Sequence, residues 1–135
     1  MMTKIKSIGE IILLFSLLLL ASCTTTTDEI EIGEDDNGTQ IELSLGQVMA
    51  ISLASNPSTG FGWHIAEVDE AILEQVGESE FVQEPSDAQT VGVGGMETLR
   101  FEAVGSGTTT LLLTYDQAWE DVPPEDTFTV TIVVP

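Results

Sequence analysis

Positive charge is almost missing from this chain. Lys4, Lys6 and Arg100 are the whole of it, against 23 acidic residues, and the formal net charge is −20. Nothing here can neutralise phosphates, which excludes a nucleic-acid binder. The same balance argues against docking of the protein surface on anionic lipid. The acidic excess suits solubility, or steering toward a basic partner. Cysteine is nearly absent too: Cys23 is the only one, so no disulfide forms within the chain. His64 is the only histidine. One imidazole without further thiolates is poor material for a zinc site. Ser58, His64 and a nearby acid are the one Ser-His-acid set to imagine. Nothing in their pattern holds the serine against an oriented base. Carboxylates are so common that no pair stands out as the acid and base of a glycosidase. Gly92-Val93-Gly94-Gly95 is followed by neither a lysine nor a helix, so it is no phosphate cradle. The acidic run before Gly38 fails as an EF-hand. With Gly38 at the sixth loop position, Gly33 and Ser44 fall where carboxylates are required. No metal, no cofactor and no catalytic activity are expected.

Long hydrophobic runs are also scarce, and the one present is N-terminal. Lys4 and Lys6 precede an apolar stretch from Ile11 to Leu20, broken only by Ser16, and small residues follow it. That order is a secretory signal sequence, too short for a comfortable transmembrane helix. Leu20-Ala21-Ser22-Cys23 resembles the lipobox of bacterial lipoproteins. The resemblance implies a signal peptide over 1–22, cleavage before Cys23, a lipid on its thiol and acylation of the new amino terminus. Several acyl chains hold stably to a membrane, so the expected location is the bacterial cell envelope, lipid-anchored after secretion, with the domain itself in water. Residues 23–38 read as an acidic, self-repelling tether. Ile30 and Ile32 alternate with acids, which also suits a short edge strand.

From Thr39 to Pro135 the signal has period two. Ile41, Leu43 and Leu45 share a face, as do Met49, Ile51 and Leu53. Trp63 and Ile65 follow, with His64 on the opposite side. Residues 71–76 fit either a short strand or a helical turn, and Phe81-Val82 suggests another strand. Leu99, Phe101 and Ala103 alternate with Thr98, Arg100 and Glu102. Leu111, Leu113 and Tyr115 share a face, and a long polar loop runs from Asp116 to Asp126. The last strand sets Phe128, Val130, Ile132 and Val134 against three threonines. Short alternating strands with turn signals about every ten residues predict an all-β, immunoglobulin-like β-sandwich of about seven or eight strands.

Loops gather at the two ends of such a sandwich, and three of them stand out. Asn56-Pro57-Ser58-Thr59-Gly60-Phe61-Gly62-Trp63 is a tight turn between two strands. Gly92-Val93-Gly94-Gly95 leads into the Met96 strand. Tyr115-Asp116-Gln117-Ala118-Trp119 ends a strand and offers a large aromatic. Together these resemble the chagasin-like inhibitors of papain-family cysteine peptidases. Asn56 to Gly60 matches the family's Asn-Pro-Thr-Thr-Gly, with Ser58 for a threonine. Phe61-Gly62-Trp63 matches its aromatic-Gly-Trp, and Gly92 to Gly95 its Gly-x-Gly-Gly. The third motif keeps Tyr115 and Trp119 but has Gln117 and Ala118 where the family has Arg-Pro. The resemblance spans roughly 39–135. It implies a monomeric, reversible, substrate-excluding inhibitor whose partner is a papain-family peptidase. It also implies a peptidase-binding edge of Asn56, Pro57, Ser58, Thr59, Gly60, Phe61, Gly92, Val93, Gly94, Gly95, Tyr115, Gln117 and Trp119. The competing expectation is a non-inhibitory envelope lipoprotein, with its sandwich serving as a protein-binding or assembly module.

Overall fold

The computed structural model describes residues 28–85 and 92–135. The signal segment, Cys23 and Val91 lie outside the described residues. Nine strands follow in order: β1 (Glu29–Gly33), β2 (Gln40–Glu42), β3 (Val48–Ser55), β4 (Phe61–Glu67), β5 (Leu73–Gln75), β6 (Glu80–Gln83), β7 (Gly95–Ala103), β8 (Gly107–Gln117) and β9 (Asp126–Val134). One sheet has the order β1-β3-β7-β5, with β6 also on β7. The other has the order β2-β9-β8-β4. The two sheets form the immunoglobulin-like sandwich expected from the alternation.

Period two decides which side chains fill the space between the sheets. Met49, Ile51 and Leu53 of β3 and Leu99, Phe101 and Ala103 of β7 form one wall. Leu111 and Leu113 of β8 and the Phe128, Val130, Ile132, Val134 row of β9 form the other, all buried. Each such side chain contributes about 1.5–3 kcal/mol by leaving water. The outward positions of β8 and β9 are mostly threonines, which tolerate a wet, pleated face.

Three expectations need correcting. The stretch 29–38 is not a free tether. β1 pairs in parallel with β3 over five residues, and Ile32 is buried in the core. The backbone N–H of Gly33 donates to the Asp36 carboxylate at 2.9 Å, closing a short 3₁₀ turn over Glu34–Asp36. Asn37 then docks on β9, its Oδ1 accepting from the Thr129 N–H at 2.9 Å. Burial of Ile32, partial burial of Ile30 and the β3 pairing outweigh the local charge. Leu45 does not share the Leu43 face: it is 64% exposed, because β2 ends at Glu42 and the chain turns over Ser44 to Gln47. Phe81 and Val82 lie in a strand as expected, the short edge strand β6, which has no buried residue. The loop after Tyr115 starts later than expected, since β8 runs on to Gln117.

The one cation of the described residues, Arg100, reaches along the outer face. Its guanidinium lies 3.1 Å from Glu29 on β1 and 3.1 Å from Glu80 on β6. Hydrogen bonds to Glu80 and then to Glu29 raise its pKa above the ordinary value. It thus ties two edge strands to the central β7.

If 29–33 belongs to the core, Ile32→Ala lowers the unfolding free energy by about 2 kcal/mol in a urea titration. A change within error of zero would return the segment to the tether.

Candidate functional site

The tip of the β3–β4 connection is built by proline and hydrogen bonds. Pro57 opens a 3₁₀ turn over Pro57–Thr59, and Gly60 closes it at φ 80°, ψ 0°. Proline suits the first position because its φ is already set and its missing N–H is not needed there. The Asn56 carbonyl accepts from the Thr59 N–H at 3.2 Å and the Thr59 hydroxyl at 2.7 Å. The Ser58 hydroxyl donates to Asn56 Oδ1 at 2.6 Å. Ser58 is therefore spent on the turn and not on His64. His64 is a solvent-facing residue of β4, 45% exposed, with Nε2 3.4 Å from Asp116 Oδ1. The imagined Ser-His-acid set does not assemble.

Three loops from distant parts of the chain meet at this end. Asn56 Nδ2 donates to the Gly92 carbonyl at 2.9 Å, fastening the first loop to the second. Gly94 lies so close to β3 that a Cβ there would sit 3.1 Å from the Ser55 carbonyl, which is the reason for glycine at that position. Gly95 is already strand, paired with Ser55 and Gln83. It is buried and shapes the edge from below. Val93 and Gly94 are half-buried beside it, and Gly92 is exposed.

The third loop is fastened by the residue that departs from the family pattern. Gln117 shares a face of β8 with Tyr115, by period two, and its Nε2 donates to the Thr59 carbonyl at 2.8 Å. Asp116 points the other way, toward His64. Beyond Gln117 the chain turns, and Trp119 lays its ring over Gly60, where any Cβ would collide with it. Trp119 nonetheless remains 69% exposed. Gly60 is thus needed twice, for its left-handed φ and for the indole above it.

Tyr115 lies beneath the three loops and not among their tips. Its hydroxyl accepts the Asn56 N–H at 2.9 Å. Its ring centroid is 5.4 Å from Phe61 and 5.1 Å from Trp63, both tilted. The Trp63 indole N–H in turn donates to the Ala54 carbonyl at 3.0 Å. Phe61, Trp63 and Tyr115 therefore support the edge, while Pro57 to Gly60, Gly92 and Trp119 present it.

Glu97 was missed from sequence. It is 7% exposed, on the inward register of β7, and its Oε2 accepts the Trp63 N–H at 3.3 Å. A carboxylate at an inward position of an otherwise apolar row was the available signal. It satisfies backbone on the free edge of β4, just below the first loop.

The chain is thus a β-sandwich with two loops fastened to a third at one pole. A family model described as Chagasin family peptidase inhibitor I42 matches residues 42–132. The chain belongs to that family. It is 33% identical to chagasin of Trypanosoma cruzi over 87 residues, 62% of this chain and 76% of chagasin. It is 28% identical to amoebiasin-2 of Entamoeba histolytica over 99 residues, 73% of this chain and 79% of that relative. Its fold resembles the crystal structure of the cysteine protease inhibitor EhICP2 from Entamoeba histolytica, with TM-score 0.70 and 25% identity. That likeness covers 79% of this chain and 96% of the other.

Tyr115→Phe removes the acceptor of the Asn56 N–H and keeps the ring. The expected result is a loss of about 1 kcal/mol of stability together with faster hydrogen exchange at the Asn56 amide. Unchanged exchange there would show that the phenol does not hold the loop.

Proposed function

We propose that this protein is a reversible inhibitor of papain-family cysteine peptidases and not an enzyme, occluding the active-site cleft with its three-loop edge. The observation that carries the reading is the cross-bonding of the loops: Asn56 to Gly92, Gln117 to Thr59, and Trp119 over Gly60. An edge fixed before binding loses little conformational entropy on docking. In this reading Thr59 and its neighbours enter the cleft over the catalytic thiol. The glycine loop runs along one wall, and Trp119 presses on the other.

Resistance to cleavage follows from the same turn. A peptidase cuts an extended segment whose carbonyl sits free for attack. Here the carbonyls of Asn56, Pro57 and Thr59 accept internal hydrogen bonds within a 3₁₀ turn or from Gln117. Binding the tip does not move it toward the transition state of hydrolysis. Gln117 also offsets the missing arginine of the family pattern. It gives up a charge-assisted contact to the peptidase, and keeps the third loop fastened.

The Leu20-Ala21-Ser22-Cys23 pattern supports placing the inhibitor in a bacterial envelope, secreted by a signal peptide over 1–22 and held by lipid on Cys23. Cys23→Ser should then release it from the membrane fraction. Continued membrane association of that variant would defeat the anchor.

The central test is titration of papain and related peptidases with the protein. Inhibition at or below micromolar concentration is expected, and its absence across the panel would defeat the reading. Trp119→Ala should raise the inhibition constant by roughly 30-fold, for a hot-spot residue worth about 2 kcal/mol. Thr59→Ala should also weaken inhibition, with both variants keeping the wild-type unfolding midpoint within a few degrees. Equal inhibition by both variants would mean that another surface binds.

A further inference from the structure

Just inside the loop pole, the sandwich is open. Between the end of β3 and the start of β9 lies a cleft of about 590 Å³, lined among others by Ser55, Trp63, Glu84, Tyr115, Glu125 and Asp126. Three carboxylates border it, and all three of these residues are exposed. Among the described residues no three of His, Cys, Asp and Glu converge closely enough to share a metal ion.

A second observation points into the same space. Met49, Ile51 and Leu53 form the inward row of β3, and by period two the next inward side chain is Ser55. It is 5% exposed, and among the described residues its hydroxyl has no hydrogen-bond partner. A buried hydroxyl without a partner asks for an explanation. Here it ends an apolar row against the lining of the cleft, closed to solvent as it stands, and a turn about its χ1 would offer it to a donor seated there.

Among the described residues no cationic side chain supplies that donor. After Lys6 the only lysine or arginine is Arg100, and Arg100 is committed to Glu29 and Glu80 on an outer face. We propose that the cleft receives one arginine side chain from the rim of the bound peptidase and so discriminates among target enzymes. The inference rests on the inhibitor reading above. A guanidinium suits the site because its five donors are spread in a plane, matching an acceptor hydroxyl and separated carboxylates. Tyr115 and Trp63 supply aromatic surface beside it, on which arginine stacks.

Two measurements on the full chain test this. In the first, inhibition of a peptidase panel is compared for wild type, the combined Glu84→Gln, Glu125→Gln, Asp126→Asn variant, and Ser55→Ala. For the most tightly bound enzyme, the combined variant should lose about tenfold or more and show a flatter salt dependence. Ser55→Ala should weaken inhibition while leaving the unfolding midpoint unchanged or higher, since it removes a buried polar group without a partner. A merely structural serine would lower stability instead. In the second, acetyl-arginine amide and its neutral isostere acetyl-citrulline amide are titrated in turn, followed by amide chemical shifts. Shifts at Ser55, Gly94 and Asp126 with the arginine probe alone support the site. Equal shifts with both probes, or none, overturn it. If wild type inhibits and every variant inhibits as well as it does, the cleft proposal fails and the inhibitor reading stands. If no peptidase is inhibited, the inhibitor reading fails, and with it the peptidase as the source of the arginine. The probe titration then decides whether the cleft binds guanidinium at all.

Discussion

The hydrogen bond from the Asn56 N–H to the Tyr115 hydroxyl is the constraint on which the loop pole depends. It joins the last residue before the turn in one sheet to a strand of the other sheet. Without it, the first loop would still be held by its own short bonds and by those to Gly92 and Gln117, which tie the tips to one another. With it, the tip's position is referred to the core through the Tyr115 ring and its contacts with Phe61 and Trp63. The phenol suits this because its ring packs like a core residue while its hydroxyl reaches the wet surface. Everything above follows in sequence: Asn56 reaches Gly92, Thr59 receives Gln117, and Trp119 rests on Gly60.

A domain so rich in acid must keep like charges apart, and it does so mostly by exposure. Two charged residues are handled differently. Arg100 gathers two carboxylates on the outer face, joining strands that lie on either side of β7. Glu97 is turned inward and satisfied by backbone, so its charge meets the free edge of β4 and not another acid. Edge strands are where a sandwich risks pairing with a second copy. One edge here is met by a buried carboxylate, and β1 and β6 are held down by one guanidinium.

Much of this was legible in the sequence, because strand faces and turn residues act locally. The inward rows of β3, β7, β8 and β9 could be read residue by residue from period two. Pro57 and Gly60 announced their turn, and the motif order announced which loops would meet. What stayed hidden depended on distant partners. Ile30 and Ile32 suit a short edge strand in a stretch whose composition says tether, and it is the parallel partner β3, far along the chain, that decides for the strand. Leu45 continues an alternation that the chain abandons, since turn bonds at Ser44 and Gln47 end β2. Gln117 reads as a defect beside the family pattern, yet the carbonyl it bonds is 58 residues away. Tyr115 was grouped with the binding tips because the motif contains it, whereas its place in β8 sets it below them.

The direction of β1 has a consequence for how the protein is presented. β1 runs parallel to β3, with Glu29 opposite Val48, so the chain enters the sandwich at the end of β3 farthest from Asn56. At about 3.3 Å per strand residue, the eight residues of β3 put roughly 25 Å between that point of entrance and the loops. β9 likewise starts beside Tyr115 and ends opposite Gly107, so Pro135 leaves from the far pole as well. Anything joined to the chain ahead of Glu29 therefore meets the sandwich at its base, at the pole opposite the three loops.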